Sequence, residues 1–584
     1  MDVIGFKSAK CRNCYRCVRN CVLKAISVQN SQAYIMDNRC ILCGRCLDVC
    51  PQNAKTLISD LDRVKQFLHK GYQVIISLAP SHAAFFTSHT PGQTVQALYQ
   101  LGFHAVYETA QGAALVTAQY RELMKENKMK YIISSCCPSI NDLIEIYYPS
   151  LCKYLAPVVS PMIAHAKQLK TQYGKEVKIV FIGPCIAKKR EAEMDPRTKG
   201  VVDAVLNFHE LEDWLKEENL IPSQLQEAKF SGKSPGIHRF YPEEGGILTT
   251  FSTEDISSKY RRLSVSGLEN CMDLFSSLMQ NELEPCFLEV NACSGGCING
   301  SALSSYQRRF SGMLSFQRYA GSDQNKTEVK DEKEDSFNDL SFMRRTFSDR
   351  SPKIQEPSEE DILRILHLLG KHSKQDLLNC GACGYNSCRE KAVAVLEGKA
   401  ELTMCLPYMQ ERAQSMANAV LDHTPSIILI LDSKGHLLEY SSSAEKFFAP
   451  LGILSHGISF DSFVDIKPFL QALKTNKPIY DQKVTYPALA RITLQKIIPI
   501  EPQNCVLIIL DDITKEEENR KKVQTIRLDA LEMAQKVIDR QMFVAQEIAG
   551  LLGETTAETK VTLNRLRDMI SQDDTVSRNQ EEIL

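Results

Sequence analysis

Apolar runs of two kinds divide this chain. Val74-Ile-Ile-Ser-Leu, Tyr131-Ile-Ile and Ile179-Val-Phe-Ile are short and uninterrupted, as in strands buried on both faces of a parallel sheet. Each stops just before a distinctive turn: Ala79-Pro80-Ser81, Ser134-Ser135-Cys136-Cys137-Pro138 and Gly183-Pro184-Cys185. The carboxyl ends of parallel strands are where α/β sheets place their sites, so these turns are expected to converge. From about residue 411 the pattern becomes that of short strands. Ile427 to Tyr440 reads as two strands about a turn at Gly435, Ser443 to Phe448 as a short helix, and Ile492–Ile500 and Cys505–Leu510 as later strands. Beyond Thr514 the period is helical. Val523, Ile526, Ala530, Met533, Val537 and Val544 recur at three, four or seven residues, a seam that suits packing on the same protomer or on a second copy. Gly550 and Gly553 interrupt it, and Thr555-x-x-Glu558 fits a capping box for a second helix through Met569. Residues 321–356, with Lys330-Asp-Glu-Lys-Glu-Asp335, are polar and lack periodicity, which reads as a linker or surface insertion. Ser358 then fits the cap of a helix running through Leu369.

Composition narrows the picture. A length of 584 residues exceeds one core and points to about three to five domains. Apolar content of 43% and charged content of 24% are those of an ordinary soluble protein. A net charge of -2 offers no basic field, so nucleic acid is not an expected partner. The apolar runs are strand-sized, far short of the roughly 20 residues of a membrane helix, so no membrane is expected either. Met1 to Lys7 shows no apolar signal region, so a cytoplasmic location is expected.

The 21 cysteines change the picture most. In a reducing compartment they favour metal ligation over disulfides, and sixteen fall into sets of four. Cys11-x2-Cys14-x2-Cys17-x3-Cys21 and Cys40-x2-Cys43-x2-Cys46-x3-Cys50-Pro51 repeat the two-cluster ferredoxin spacing, in which the fourth cysteine of each run ligates the other cluster. One 4Fe-4S cluster is therefore expected on Cys11, Cys14, Cys17 and Cys50, and a second on Cys40, Cys43, Cys46 and Cys21. Cys380-Gly-Ala-Cys383-Gly-Tyr-Asn-Ser-Cys388 with Cys405-Leu-Pro resembles the small single 4Fe-4S domain of several redox proteins, with zinc as the alternative. Cys152, Cys271, Cys286 and Cys505 read as small buried apolar residues.

Glu289-Val-Asn-Ala-Cys293-Ser-Gly-Gly-Cys297-Ile-Asn-Gly300, together with the Cys136-Cys137 and Cys185 segments, resembles the cluster-binding motifs of the FeFe hydrogenases. That resemblance covers about residues 61–320. It implies an H-cluster, a 4Fe-4S cube joined to a two-iron unit that carries CO, cyanide and a dithiolate. By residue matching, Cys137, Cys185, Cys293 and Cys297 would hold the cube, with Cys297 bridging to the two-iron unit. Cys136 would pass protons, and Lys188 and Ser81 would donate to cyanide. Three departures stand out. Gly183 and Asn291 replace methionines usual in fast enzymes of the family, and the Gly-rich tail after the last ligand is shortened to Asn299-Gly300-Ser301. The two acids and the serine of the family's proton relay align with Tyr120, Leu123 and Ala156, while the neighbouring Glu122 is expected to face elsewhere.

The expected fold class is thus multidomain α+β and α/β. A two-cluster ferredoxin (1–60) precedes a hydrogenase-like catalytic α/β domain (61–320) and a polar linker (321–356). A single 4Fe-4S domain (357–410), a domain resembling PAS sensor modules (411–516) and C-terminal helices (517–584) follow. With three 4Fe-4S clusters and an H-cluster, the family resemblance implies chemistry on H2 and protons. Three functions fit: an H2 or redox sensor that relays its state through the PAS domain and terminal helices to a separate signalling partner, a metabolic hydrogenase exchanging electrons with ferredoxin, or a non-catalytic iron-sulfur scaffold. A homodimer is compatible with each.

Overall fold

The computed structural model describes residues 3–252, 259–303, 309–322, 341–353, 356–549 and 560–567. The chain divides into two units, Met1–Met409 and Gln410–Leu584.

The first unit is built on two parallel sheets. The four-stranded sheet has the order Ala105–Glu108, Val74–Leu78, Lys178–Ile182, Ala204–Leu206. The three-stranded sheet has the order Arg261–Ser266, Cys286–Asn291, Tyr131–Ile133. Val74–Leu78 is buried at all five positions, as a strand covered on both faces must be, and its one polar member, Ser77, lies 2.8 Å from both Thr109 Oγ1 and His165 Nδ1. The sequence pattern identified the strands but not their partition: Tyr131–Ile133 belongs to one sheet, Val74–Leu78 and Lys178–Ile182 to the other. Gly112 allows the helices Ala110–Glu126 and Pro161–Tyr173 to cross closely, since a Cβ there would lie 2.3 Å from the Pro161 carbonyl oxygen. The ferredoxin segment is two small antiparallel pairs, Ile4–Phe6 with Lys55–Leu57 and Ile26–Gln29 with Gln32–Ile35.

Two sequence expectations need amendment. Ser358 does cap a helix, by accepting from Asp361 N, but the helix is Glu359–Leu368. The polar stretch 321–356 is not a linker throughout. Its described part, residues 341–353, packs into the α/β domain: Met343 is fully buried, Arg344 bridges Val158, and Arg345 is 5% exposed. Its anchors are ion pairs and single side chains, which hydrophobic periodicity does not register. Lys330–Asp335 lies outside the described residues.

The second unit is a five-stranded antiparallel sheet of order Leu437–Tyr440, Ile427–Asp432, Cys505–Asp512, Arg491–Ile500, Ile479–Tyr486. Its core gathers Leu429, Phe448, Phe460, Ile497 and Ile508. A sheet in which the first strand lies centrally beside the last, with the helices between strands two and three, is the PAS arrangement expected from the sequence. The edge strand Ile479–Tyr486 is mostly exposed and therefore gave no apolar signal. The helix Thr514–Ala549 follows, its seam residues Val523, Ile526, Met533, Val537 and Val544 standing 45–67% exposed, and residues 560–567 are helical as well. The proposed capping box Thr555–Glu558 lies outside the described residues.

Candidate iron-sulfur active site

The strand ends converge as their order suggested. Ala79-Pro80-Ser81, Cys136-Cys137, Cys185 and the segment after Cys286–Asn291 surround a cavity of about 90 Å³ lined by Ser81, Cys136, Cys137, Cys185, Lys188 and Cys297. Cys293 stands beside Cys185, Cys137 and Cys297, and burial together with these neighbours holds its thiol well above its ordinary range. Burial likewise raises Cys137 and Cys297, each raised further by the sulfurs around it. Such a set is uncomfortable as four thiolates alone and is compensated by a cationic cluster, whose binding releases their protons. Among the described residues, no three His, Cys, Asp or Glu side chains converge as one ion would need. Cysteines ringed about a cavity suit a multi-iron cluster better than a zinc ion with its ligands about 2.3 Å away.

Cys136 lines the same cavity. Its Sγ lies 3.1 Å from the Tyr120 hydroxyl, and burial pushes its thiol up to about 12. The Tyr120 hydroxyl accepts from Ser135 N at 3.0 Å and lies 3.4 Å from Ser135 Oγ, which donates to the Val158 carbonyl at 2.7 Å. From the thiol the polar chain thus ends on a backbone acceptor. Leu123 is packed against the core, Ala156 is fully buried, and Glu122 pairs with Lys125 on the surface.

Lys188, which also lines the cavity, donates to the Cys136 carbonyl at 3.2 Å and to Glu191 at 2.8 Å. Ser81 Oγ lines the cavity, fully buried and without a hydrogen-bond partner. A buried hydroxyl left unpaired at a cavity wall is costly and fits a group that accepts from it. Four converging sulfurs, an ammonium and an orphaned hydroxyl therefore fit the residues expected around an H-cluster.

Several contributors were not evident from the sequence. A Cβ on Gly183 would lie 2.5 Å from the Phe181 ring, so Phe181, itself a cavity-lining side chain, occupies the room a larger residue at 183 would need. Tyr241 lines the cavity and its hydroxyl is 2.6 Å from Thr117 Oγ1. Gly296 and Gly300 permit close backbone approach, their Cβ positions falling 2.4 Å from the Pro242 oxygen and 2.5 Å from the Pro184 oxygen. Glu289, fully buried, accepts from the amides of Gly245, Ile247 and Leu248 at 2.9–3.1 Å. Burial raises its carboxyl to about 7 against the pull of those amides. Asn291, aligned with the second missing methionine, extends its Nδ2 to Glu289 at 3.4 Å.

The remaining cysteine sets follow their predicted groupings in space. Cys21 joins Cys40, Cys43 and Cys46 around one cavity, and Cys50 joins Cys11, Cys14 and Cys17 around another. Cys380, Cys383, Cys388 and Cys405 line a third. The second ferredoxin site abuts the catalytic one: a Cβ on Gly44 would lie 2.8 Å from the Ser301 oxygen, and Ser301 Oγ is 4.0 Å from Cys185 Sγ. The single-cluster segment docks on the ferredoxin. Arg19 donates to the Ala382 and Cys14 carbonyls, and Tyr385 packs among Cys17, Val18, Cys21 and Cys383.

Parallel sheets whose strand ends gather thiols beside two ferredoxin-type cysteine sets define an iron-sulfur redox protein. Comparison with known proteins shows what its parts are similar to. Residues 72–301 match the family described as iron only hydrogenase large subunit, C-terminal domain, residues 10–55 a 4Fe-4S dicluster domain, and residues 378–407 an Fe-S cluster family. Over residues 72–301, therefore, the chain is similar to the iron-only hydrogenases. It is similar to Iron hydrogenase 1 of Clostridium pasteurianum, with 28% identity over 372 residues, 47% of this chain and 65% of that protein. It is also similar to the NADP-reducing hydrogenase subunit HndD of Solidesulfovibrio fructosivorans, with 25% identity over 50% of this chain and 63% of the relative. The chain spans a little under two thirds of the length of these relatives. Among solved structures, an apo FeFe-hydrogenase from Chlamydomonas reinhardtii aligns with 50% of this chain and 100% of its own, at 16% identity and a TM-score of 0.38. No helix among the described residues is long and apolar enough to cross a membrane.

Proposed function

We propose that the protein is a slow, FeFe-hydrogenase-type sensor of H2 or redox state. In this reading it holds an H-cluster on Cys137, Cys185, Cys293 and Cys297. Three 4Fe-4S clusters occupy the sets Cys11/Cys14/Cys17/Cys50, Cys21/Cys40/Cys43/Cys46 and Cys380/Cys383/Cys388/Cys405. The bound H-cluster would supply reversible heterolytic splitting of H2. Lys188 and Ser81 orient its cyanide ligands by donating to them, the ammonium suiting an anionic acceptor in a dry wall. Cys136 holds or delivers the proton at its Sγ, and Tyr120 fixes that thiol. The clusters that Cys11, Cys14, Cys17 and Cys50 and Cys21, Cys40, Cys43 and Cys46 would hold would supply electron transfer toward the Cys380 set or a ferredoxin-like partner. The redox state is then read by the PAS domain and passed through Thr514–Ala549, with a second copy of this chain or a separate signalling protein as receiver. The setting is cytoplasmic. The domain limits follow the six segments given from the sequence, with residues 341–353 transferred to the catalytic domain.

The observation that carries this reading is the Cys136–Tyr120 contact, where the hydrogen-bonded chain leads to the Val158 carbonyl and, among the described residues, to no acid. A sensor needs a populated reduced state rather than fast turnover, which a thiol without an exit provides. Infrared spectroscopy of the anaerobically matured chain, with and without H2, tests it alongside dye-linked turnover. CO and cyanide bands that shift under H2, with slow turnover, are expected. Fast turnover at neutral pH would favour a metabolic enzyme, and absence of the bands a scaffold.

A further inference from the structure

Lys188 is one end of a buried run of charges. Its bonds to the Cys136 carbonyl and to Glu191 Oε2 commit two of its three ammonium protons, leaving one toward the cavity it lines. The Glu191 side chain is fully buried and shared: Oε2 also accepts from Ser160 Oγ at 2.9 Å, and Oε1 from Arg345 Nη1 at 2.7 Å. Arg345, its side chain 3% exposed, also pairs with Asp195 at 2.5 Å. Asp195 is held by Arg197, Arg197 pairs with Glu145 at 2.7 Å, and Arg350 joins Glu145 to Asp142. Arg345 and Arg350 come from the strap 341–350, pinned by Val159 N to the Met343 carbonyl (2.8 Å), Arg345 N to the Pro157 carbonyl (3.1 Å) and Arg350 N to the Glu145 carbonyl (2.8 Å). One carboxylate separates this strap from Lys188.

We infer that Arg345 is a positioning residue for Lys188: by sharing Glu191 it limits that carboxylate's hold on the ammonium and leaves the third proton for the ligand in the cavity. The inference rests on the proposed reading in which Lys188 donates to a cyanide. Charges interact strongly in a buried setting, and a carboxylate divided between two cations draws each less than one facing a single cation. Removing the Arg345 charge pulls Lys188 toward Glu191; removing the Glu191 charge frees it toward the cavity. The two changes act in opposite directions.

Infrared spectra of the anaerobically matured full chain, as wild type, Arg345→Met, Arg345→Lys and Glu191→Gln, test this at matched iron content. One cyanide band is expected to move in Arg345→Met and to move the opposite way in Glu191→Gln, with Arg345→Lys returning most of the way to wild type. Bands of folded, iron-replete Arg345→Met that coincide with wild type overturn the inference. Shifts of the same sign in Arg345→Met and Glu191→Gln also overturn it, since that is what mere loosening of the ion network produces. Should Arg345→Met fail to fold, Arg345→Gln takes its place under the same sign rule against Glu191→Gln, and coincidence of its bands with those of wild type overturns the inference. A wild type without cyanide bands refutes the two-iron unit itself, and the inference falls with it by a separate route.

Discussion

The two walls of the cluster cavity solve different problems. Along the chain that starts at the Cys136 thiol the hydrogen-bonding groups are neutral, the Tyr120 hydroxyl, the Ser135 hydroxyl and a backbone carbonyl, while the Cys136 carbonyl accepts from Lys188. Around Lys188 they alternate in charge through Glu191, Arg345, Asp195, Arg197 and Glu145. Yet proton transfer is the task that needs ionisable groups matched to ambient pH, and geometry is the task that fixed ion pairs with hydrogen bonds perform. In this molecule charge is spent on holding the site, and the wall a proton would cross is left to groups that do not readily ionise. Burial raises the Tyr120 phenol well above its ordinary range.

The strongest way to break the comparison is to remove the thiol. Cys136→Ala should lower H2 turnover by about 10²–10⁴-fold, the range of a lost general acid-base group, with iron content unchanged. Parallel iron assay and dye reduction check it, and lost iron would mean that Cys136 and Cys137 have exchanged roles. The comparison is sharpened by rebuilding acids in the neutral wall. Tyr120→Glu with Leu123→Glu should raise turnover by about tenfold, a part of the same range, and Tyr120→Phe should not. If the double substitution leaves turnover at the wild-type level while the infrared bands persist, the proton wall is not what makes the site slow.

How much of this could be seen in the sequence depended on what kind of force holds each part. Cysteine sets were legible because ligand spacing is local chemistry: Cys21 and Cys50 lie among the partners that the ferredoxin spacing assigned to them. Val74–Leu78 was legible because a strand covered on both faces is apolar at nearly every position, Ser77 being the exception here. Phe181 was not, since its contact with Gly183 depends on a rotamer rather than on pattern. The strap 341–350 was missed for a related reason: Arg345 and Arg350 find their acids across about 150 to 200 residues of chain, and a polar run that pairs looks the same in sequence as one that is solvated. Lys188 and Ser81 were named from the motif, but Glu191 and the Tyr120 contact needed the fold.

A smaller effect concerns Glu289, which belongs to neither wall and fixes the loop between them. Its folded carboxyl lies near 7, above its ordinary value, because of burial, so the folded chain holds that proton more tightly than the unfolded one. The resulting stabilisation is complete below about 4.5 and is lost as pH rises through about 7, at about 1.4 kcal/mol per unit within that window. Hydrogen exchange at the amides of Gly245, Ile247 and Leu248 should therefore lose protection between pH 5 and pH 8, beyond the intrinsic pH effect. Glu289→Gln should abolish that dependence and cost about 2–3 kcal/mol, since an amide NH2 would face three N–H donors. A pH-independent wild type would place the carboxylate in its ordinary range.

The smallest effect tests whether the altered packing beside the cluster is one unit. Gly183 and Phe181 are coupled by contact: a side chain at 183 collides with the ring at 2.5 Å. Gly183→Met alone should cost about 1–3 kcal/mol through overpacking, and Phe181→Ala alone should leave a void and cost about 3–5 kcal/mol. Combined, the methionine fills the space the ring vacates, so the double substitution should cost about 1–2 kcal/mol less than the sum of the two, within the coupling expected of neighbours. Thermal unfolding of the iron-replete chain gives the stability arm, and redox titration of the cube gives the electronic one, because exchanging an aromatic ring for a thioether changes the surroundings of the sulfurs. Additive costs would show that Gly183 and Phe181 were altered independently. A coupled stability with an unchanged potential would mean that the pair serves packing alone, leaving the polar Asn291–Glu289 side of the cluster as the one that sets its electronics.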